Sequence, residues 1–389
     1  MSKIKVLRIV TRLSVGGVPL HCSNLAKLLD KYKYEHLLVH GSLGEAEGDM
    51  RYLIEDEPNV FIPELIRELS LKHDIKAFFK IVKLIRKYKP DIVHTHHAKA
   101  GMLGRAAAKL CGVPVIIHTF HGNVFQGYFS PLKSKLFINI ERFLALISSK
   151  IIAISKIQKE ELLQFKIAPA KKIEIVKLGF NFANVRPEAN FTSDFRERYN
   201  LAKDDILVGS IGRVVPIKNQ KMLVDIAEKV IKSTMKSVKF VIVGDGEERA
   251  NIANYVAEKH LQAYFVFTGF TRDLKEIYHE MDIVALTSLN EGTPVAIIEA
   301  MANRKIVFST NVGGIADFIE DNKSGFYFDV NDTQAYSQKL SEIINVFDSK
   351  ELDIIREKAH DVALSNFSVQ RLISDIDNLY SELLAKKRR

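Results

Sequence analysis

Short apolar runs recur along this chain at the spacing of βα units, and the series is played twice. KVLRIV, HLLVHG, DIVHTHH and VPVIIHTFHG form the first series, with helical segments such as IKAFFKIVKLIRKYKP between them. DILVGSIGR, VKFVIVGDG, YFVFTGF, DIVALTS and KIVFSTNVGG form the second. Strands that are apolar throughout, alternating with helices, build a parallel sheet covered on both faces. Two series predict an α/β chain of two doubly wound parallel-sheet domains. The length of 389 residues agrees, since it exceeds what one hydrophobic core supports. A polar, irregular link from Asn181 to Asn200, containing Pro187, separates the series. The expected domains are residues 1–183 and 184–365, with a terminal helix over 366–389 crossing back to the first domain. Such sheets bind ligands at the carboxyl ends of their strands, so the expected site is a cleft that the two domains face across.

Composition narrows the function. With 47% hydrophobic and 26% charged residues the chain reads as an ordinary globular protein. The most apolar stretch, KLFINIERFLALISSKIIAIS, is interrupted by Glu141, Arg142 and Lys150, so no membrane span is expected. The two cysteines, Cys22 and Cys111, fit neither a disulfide framework nor a metal spacing. A cytoplasmic protein is expected on that ground. The net charge of +9 favours anionic partners without choosing among them. No nucleic-acid-binding motif is present, so nucleic acid is not an expected partner.

Candidate residues fall at strand exits. Gly16 and Gly17 lie between the first strand and first helix, where backbone amides can approach a phosphate. G-x-G-x-x-G and G-x-x-x-x-G-K-[ST] are both missing, which argues against a dinucleotide cofactor and a P-loop. In the second domain GRVVPIKNQ places Arg213 and Lys218 between strand and helix, suited to a diphosphate. Glu291 and Glu299 flank NEGTPVAIIEAM, with Thr293 placed to cap the next helix and Pro294 to begin it. A carboxylate accepts two hydroxyl donors, so each glutamate suits a diol. Diol, diphosphate, diol describes a nucleotide sugar. His121 ends the fourth strand, and Gly122 beside it opens the backbone to a ligand. A neutral imidazole there can share a proton with a reacting hydroxyl. His94 and His96 share a strand face while His97 opposes them, and no Cys or Asp completes a metal set with His118. The only D-x-D, Asp375 to Asp377, sits in a helix and reads as a solvated face. No metal is expected. Gly244 and the pair Phe270 and Thr271 follow two further strands, and Phe270 and Thr271 are expected to line a base pocket. The stretch FQGYFSPLKSKLFINIERFLALISSK mixes aromatics with lysines. It reads equally as a core-facing helix or as a contact for an anionic bilayer.

In this order the elements resemble the retaining GT-B glycosyltransferases of family 4, also called group 1. Glu291 and Glu299 stand as the E-x7-E motif, and Gly212, Arg213 and Lys218 as GR-x4-K. Gly16 and Gly17 stand as the first-domain GG loop, and His121 as the cleft histidine. NVGGIADFI and Phe367–Ser368 extend the likeness. One departure is EAMANRKIV, where Arg304 replaces a glycine and Ile306 a proline. The resemblance implies a hexosyltransferase-type enzyme without a metal cofactor, using a UDP-sugar as donor. Glu299 would bind the ribose and Glu291 the sugar hydroxyls. Arg213 and Lys218 would neutralise the leaving diphosphate, with an amide from Gly17. It further implies a glycan or polyprenyl-linked acceptor, in lipopolysaccharide, O-antigen or capsule synthesis at the inner face of the cell membrane. Competing readings are a GT-B sugar nucleotide epimerase or hydrolase, a nicotinamide dehydrogenase and a noncatalytic partner of a membrane synthase. The missing dinucleotide fingerprint argues against the dehydrogenase. The presence of Arg213, Lys218, Glu291 and Glu299 argues against the noncatalytic partner.

Overall fold

The computed structural model describes residues 3–14, 16–44, 47–122 and 131–388. Two compact units divide the chain: Met1–Phe180 with Val369–Arg389, and Asn181–Ser368. The first unit contains strands β1 (Ile4–Val10), β2 (Tyr34–His40), β3 (Asn59–Phe61), β4 (Ile92–His96), β5 (Val115–Phe120), β6 (Lys150–Ala153) and β7 (Ile173–Ile175). Their order in the sheet is β3-β2-β1-β4-β5-β6-β7, and every pairing is parallel. The second unit contains β8 (Ile206–Ile211), β9 (Val238–Val243), β10 (Phe265–Gly269), β11 (Ile283–Leu286), β12 (Ile306–Thr310) and β13 (Phe326–Phe328). Their order is β10-β9-β8-β11-β12-β13, again all parallel.

Both sheets are built from β-branched and aromatic residues buried on both faces, as a parallel sheet requires. In the first unit, Val6, Ile92, Val115 and Ile117 pack with Leu25 of helix Gly17–Leu28 and with Leu29 just after it. Leu372, Ile376, Tyr380 and Leu383 of helix Val369–Arg388 close the same core. On another cluster, Leu7, Ile9 and Val93 pack with Ala77, Ile81 and Ile85 of helix Leu71–Tyr88. That helix ends where expected, before Pro90, with Lys89 in the left-handed region at φ 53°. In the second unit, Val208, Phe240, Ile242, Ile283 and Phe308 form the centre of one core with Leu223, Ile226 and Val230.

The helix after β1 starts at Gly17 itself, so Gly17 opens the helix rather than lying before it, and Pro19 sits in its first turn, where its missing N–H costs nothing. Asp375 and Asp377 are partly exposed, and both are paired. Asp377 accepts from Lys33 Nζ at 2.6 Å and from the Tyr34 hydroxyl at 2.7 Å, and Asp375 from Arg371 at 2.7 Å. The two side chains diverge, as residues two apart on a helix must, but each finds a cation within the first unit. The departure at Arg304 also has a local meaning. Arg304 takes φ 55° just past helix Val295–Ala302, the left-handed turn that usually carries glycine. Its Nε donates to Glu357 at 2.6 Å.

Candidate functional site

In each sheet the chain order reverses beside one strand, β1 in the first and β8 in the second. Loops leaving the carboxyl ends on either side of such a strand diverge and open a crevice. Most of the residues singled out by the sequence fall on these loops.

In the second unit the crevice loops are stitched together by backbone bonds. The Gly212 amide donates to Val243 O at 2.9 Å, Val214 to Asp245 O at 2.9 Å, and Gly244 to Gly269 O at 2.9 Å. The Leu289 amide donates to Ile217 O at 2.8 Å, and the Thr310 hydroxyl to Ser288 O at 2.7 Å. Two glycines permit this closeness. A Cβ on Gly244 would lie 2.0 Å from Gly212 O, and one on Gly313, at φ +60°, would lie 2.1 Å from Glu291 O. Any side chain there would push the loops apart. The loop that follows β8 is thereby held against the loops that follow β9 and β11.

On this frame Lys218 Nζ lies 2.5 Å from Glu291 Oε1, and the Ser288 hydroxyl donates to the same oxygen at 2.7 Å. Both partners of the ion pair are largely shielded, so the pair is a fixed element of the site rather than a solvated surface contact. Arg213 is exposed, and its guanidinium bonds no other described residue. Its backbone carbonyl is held by Gln220 Nε2 at 3.1 Å. The position is thus fixed while the charged end is left available. Glu299 sits on helix Val295–Ala302 and is buried. The Tyr278 hydroxyl donates to its Oε2 at 2.8 Å. Burial pushes its carboxyl up to about 7, and the Tyr278 bond opposes that shift.

Thr293 does not cap the helix. Pro294 stands just before it at φ −78° and ψ 82°, Val295 is its first residue, and no side chain caps it. The Ile297 amide donates to Pro294 O at 3.1 Å, which leaves the amides of Val295 and Ala296 without an acceptor among the described residues. Phe270 is exposed directly after β10, and Thr271 Oγ1 accepts from the Asp273 amide at 3.1 Å. Gly269 and Gly244 form an antiparallel bridge, which brings the Phe270 and Gly244 loops together.

In the first unit Gly16 and Gly17 follow β1, and neither meets a protein atom closer than ordinary contact when a Cβ is added. The unit's own packing therefore does not account for Gly17. A Cβ built on Gly122 likewise meets no atom of the described residues within 4 Å. Beside these lies a group of imidazoles. His96 Nδ1 and His121 Nε2 are 2.9 Å apart in a hydrogen bond. His21, from the helix Gly17–Leu28, packs edge-on to both, with ring centroids at 5.4 and 5.1 Å. His94 lies against His96 at 4.4 Å and bonds Tyr380 and Thr119, each at 2.7 Å. Burial holds His121, His96 and His94 well below the ordinary histidine range, with neighbouring histidines adding to the effect. His121 is therefore a neutral imidazole. Its Nδ1 has no partner among the described residues.

His97 does not lie on the strand opposite its neighbours. It follows β4 at φ 67° and precedes helix Ala98–Leu110. His21 was not found from the sequence. It comes from a helix far from HTHH in the chain, and only the β1/β4 pairing joins them. A histidine in the turn-and-helix after GG, with H-x-H on a later strand, was the available signal. His21, His96 and His121 bring one ring nitrogen each within 4.8 Å of one another, so these three residues could hold a metal. His118 is buried separately, its Nδ1 bonded to Thr95 Oγ1 at 2.8 Å.

With the fold and loops in place, the comparisons are direct. Residues 15–183 match the model for Glycosyltransferase Family 4, and residues 191–361 match the model for Glycosyl transferases group 1. The chain is 28% identical to the UDP-Gal:alpha-D-GlcNAc-diphosphoundecaprenol alpha-1,3-galactosyltransferase of Escherichia coli, over 99% of both proteins. It is 27% identical to the capsular polysaccharide biosynthesis glycosyltransferase CapM of Staphylococcus aureus, over 82% of this chain and 83% of that protein. The crystal structure of Anabaena HepE in complex with UDP superposes with a TM-score of 0.81, at 23% identity, over 97% of this chain and all of that one. The fold is that of the GT-B glycosyltransferases. The two family matches together span most of the chain, and it belongs to the group 1, family 4 glycosyltransferases.

Proposed function

We propose that the protein transfers a sugar from a UDP-sugar to a polyprenyl-linked or growing glycan acceptor, with retention of anomeric configuration. The observation that carries this reading is the Lys218–Glu291–Ser288 contact beside buried Glu299 in the second unit. A nucleotide sugar offers hydroxyls to two carboxylates and a diphosphate to cations between them. In this scheme Glu299 accepts from the ribose and Glu291 from the donor sugar. Arg213, Lys218 and the open amides before Ile297 stabilise the diphosphate as it departs. Gly244, Phe270, Thr271 and Thr293 belong to the loops around the nucleotide. Gly16, Gly17 and Gly122 leave backbone open to ligand in the first unit.

The anomeric carbon loses its bond to the diphosphate oxygen and gains one to the acceptor oxygen. The acceptor proton passes to the departing diphosphate, eased by His121. No metal is assigned a part, because the diphosphate charge already has protein cations. The UDP in the HepE complex and the lipid-linked acceptor in the name of the Escherichia coli relative support the choice of substrates. The capsule role of CapM supports a place in surface glycan synthesis. The test is incubation with UDP-sugars and an undecaprenyl-diphosphate-linked sugar, followed by proton NMR of the first-formed glycoside. A product with inverted configuration would refute the mechanism.

Arg213→Ala and Lys218→Ala should each weaken UDP binding by about tenfold or more, on the scale of a charge-assisted bond. Uridine binding should change little. Calorimetry with both ligands decides this, and equal losses would remove the diphosphate assignment. Lys218→Ala carries a second effect, since it leaves Glu291 with Ser288 alone.

A further inference from the structure

Three imidazoles meet in the first unit, and the transfer scheme uses only one of them. His96 ends β4, His121 follows β5, and His21 stands on helix Gly17–Leu28. His96 Nδ1 and His121 Nε2 share one hydrogen bond at 2.9 Å, and the His21 ring lies edge-on to both. That bond leaves both nitrogens of His21, Nε2 of His96 and Nδ1 of His121. All four atoms are buried without a hydrogen-bond partner among the described residues. Burying a polar atom unpaired is unfavourable, and packing alone would be better served by apolar rings of similar shape. Residues 123–130, which begin the segment mixing aromatics with lysines, lie outside the described residues, and no ligand is assigned from them.

The three rings are close enough to share one ligand. One ring nitrogen of each lies within 4.8 Å of the others. A tetrahedral ion with Zn–N bonds of about 2.0–2.1 Å holds its nitrogens ~3.4 Å apart. The His96–His121 pair would open slightly and the His21 ring would close in. An all-nitrogen set suits Zn2+ and its first-row neighbours and does not suit Mg2+ or Ca2+. The parallel pairing of β1, β4 and β5 fixes where His96 and His121 emerge, so the set is held by the sheet before any ion arrives. His121 is the least buried of the three and Gly122 beside it is exposed, which gives an ion its way in. One cation opposes a metal here: Arg8, buried on β1, with its Nη2 donating to the Tyr380 hydroxyl at 3.2 Å. Its charge tempers the affinity and favours a site that fills and empties over one that is always loaded.

We propose that His21, His96 and His121 form a site for a Zn2+-like ion, and that filling it silences sugar transfer. The second half rests on the reading of His121 as the group that eases the acceptor proton. On the metal each neutral imidazole keeps its one N–H, on the nitrogen away from the ion. The proton now shared between His96 and His121 moves to the other nitrogen of its own ring, and none is released. His121 then has one nitrogen bonded to the metal and the other already protonated. No lone pair is left on it to accept from an incoming hydroxyl.

The test is titration of the full chain, without a polyhistidine tag, with Co2+ as a visible probe. The d–d bands of a four-coordinate ion should appear, saturate at one ion per chain, and be erased by Zn2+ but not by Mg2+. His21→Phe and, separately, His96→Gln should each weaken Co2+ binding by roughly 100-fold or more, since even an outer partner of a metal ligand is worth ~10–100-fold. Circular dichroism of the metal-free variants checks their fold. The wild type supplies a readout that needs no variant: Zn2+ should raise its thermal midpoint and Mg2+ should not. Transfer by the wild type should fall in step with Co2+ occupancy and return when a chelator is added. Each variant, measured against its own metal-free rate, should resist a Zn2+ concentration that stops the wild type. Absent bands, or bands of equal affinity in wild type and both variants, would overturn the site. Full occupancy with unchanged transfer would overturn the silencing and count against the part given to His121. A chain that binds the ion yet transfers no sugar with or without it would support the site and count against the enzymatic reading instead.

Discussion

Glu299→Gln is expected to weaken UDP binding by about 10- to 100-fold while barely changing the affinity for 2′-deoxy-UDP. The basis is a buried carboxylate with one oxygen taken by Tyr278 and the other free of described partners. A charged acceptor bonded to a ribose hydroxyl contributes ~1.5–3 kcal/mol, and an amide keeps the shape but not the charge. Tyr278 can still donate to the glutamine oxygen, so the local fold should persist. Acidity gives a second readout. In the free protein burial raises this carboxyl to about 7, above its value of 4.5 in an unfolded chain. Between those values the folded form holds a proton that the unfolded form has lost. The stabilisation is therefore complete below 4.5 and is lost as pH rises through about 7. A ribose hydroxyl favours the ionised carboxylate, so UDP binding must expel that proton. UDP affinity should rise more steeply as pH increases through 7 in the wild type than in Glu299→Gln, where only the terminal phosphate of UDP, with a second pKa of about 6, still titrates. Calorimetry at several pH values with both nucleotides checks this. Equal losses for UDP and the deoxy form, or an unchanged pH slope in the variant, would place Glu299 away from the ribose.

His121→Ala should lower turnover by ~100-fold or more and leave UDP affinity within a few-fold, as expected for a group used mainly in the transition state. Its imidazole is held neutral by burial among other histidines, and one nitrogen is fixed by His96. A neutral ring can accept a proton at one nitrogen and pass it on. Steady-state kinetics and calorimetry on the same variant separate the two effects. The thermal midpoint supplies the control for loss of the ring from a packed cluster. Full turnover by His121→Ala would end its assignment, and an equal fall in affinity and rate would make it a binding residue.

The fold was legible because the longer strands are apolar throughout and recur at βα spacing. β3, β6, β7 and β13 were missed because such short runs carry no period of their own. Glu291, Arg213 and Lys218 could be placed at strand exits from spacing alone. The Lys218–Glu291 contact could not, since the loops after β8 and β11 are distant in sequence and are brought together by sheet order. Glu299 could be seen as a carboxylate on a helix. Its burial and its bond to Tyr278 depend on how helix Leu274–Glu280 packs, which periodicity does not report. Thr293 was misread because Ser or Thr before Pro is a good capping pattern, and here the turn ends one residue later than that pattern supposes. The histidine cluster was half visible: H-x-H lies on one strand, while His21 arrives through tertiary contact.

The first unit is closed by residues that follow the whole of the second unit in the chain. Tyr380 bonds His94 and Arg8, Asp377 holds Lys33 and Tyr34, and Leu372 and Ile376 fill the core over Val6 and Val115. The second unit is one continuous segment, Asn181–Ser368. On the ribosome all of its residues are therefore available before the helix Val369–Arg388 has emerged. Domains generally fold as units as they appear. Here the order of completion runs opposite to the order of the chain: the second unit can close on itself while the first still waits with Arg8 and His94 lacking Tyr380. A nascent chain stopped short of residue 369 would own every histidine of the cluster and every strand of both sheets, yet lack the piece that seals the earlier one.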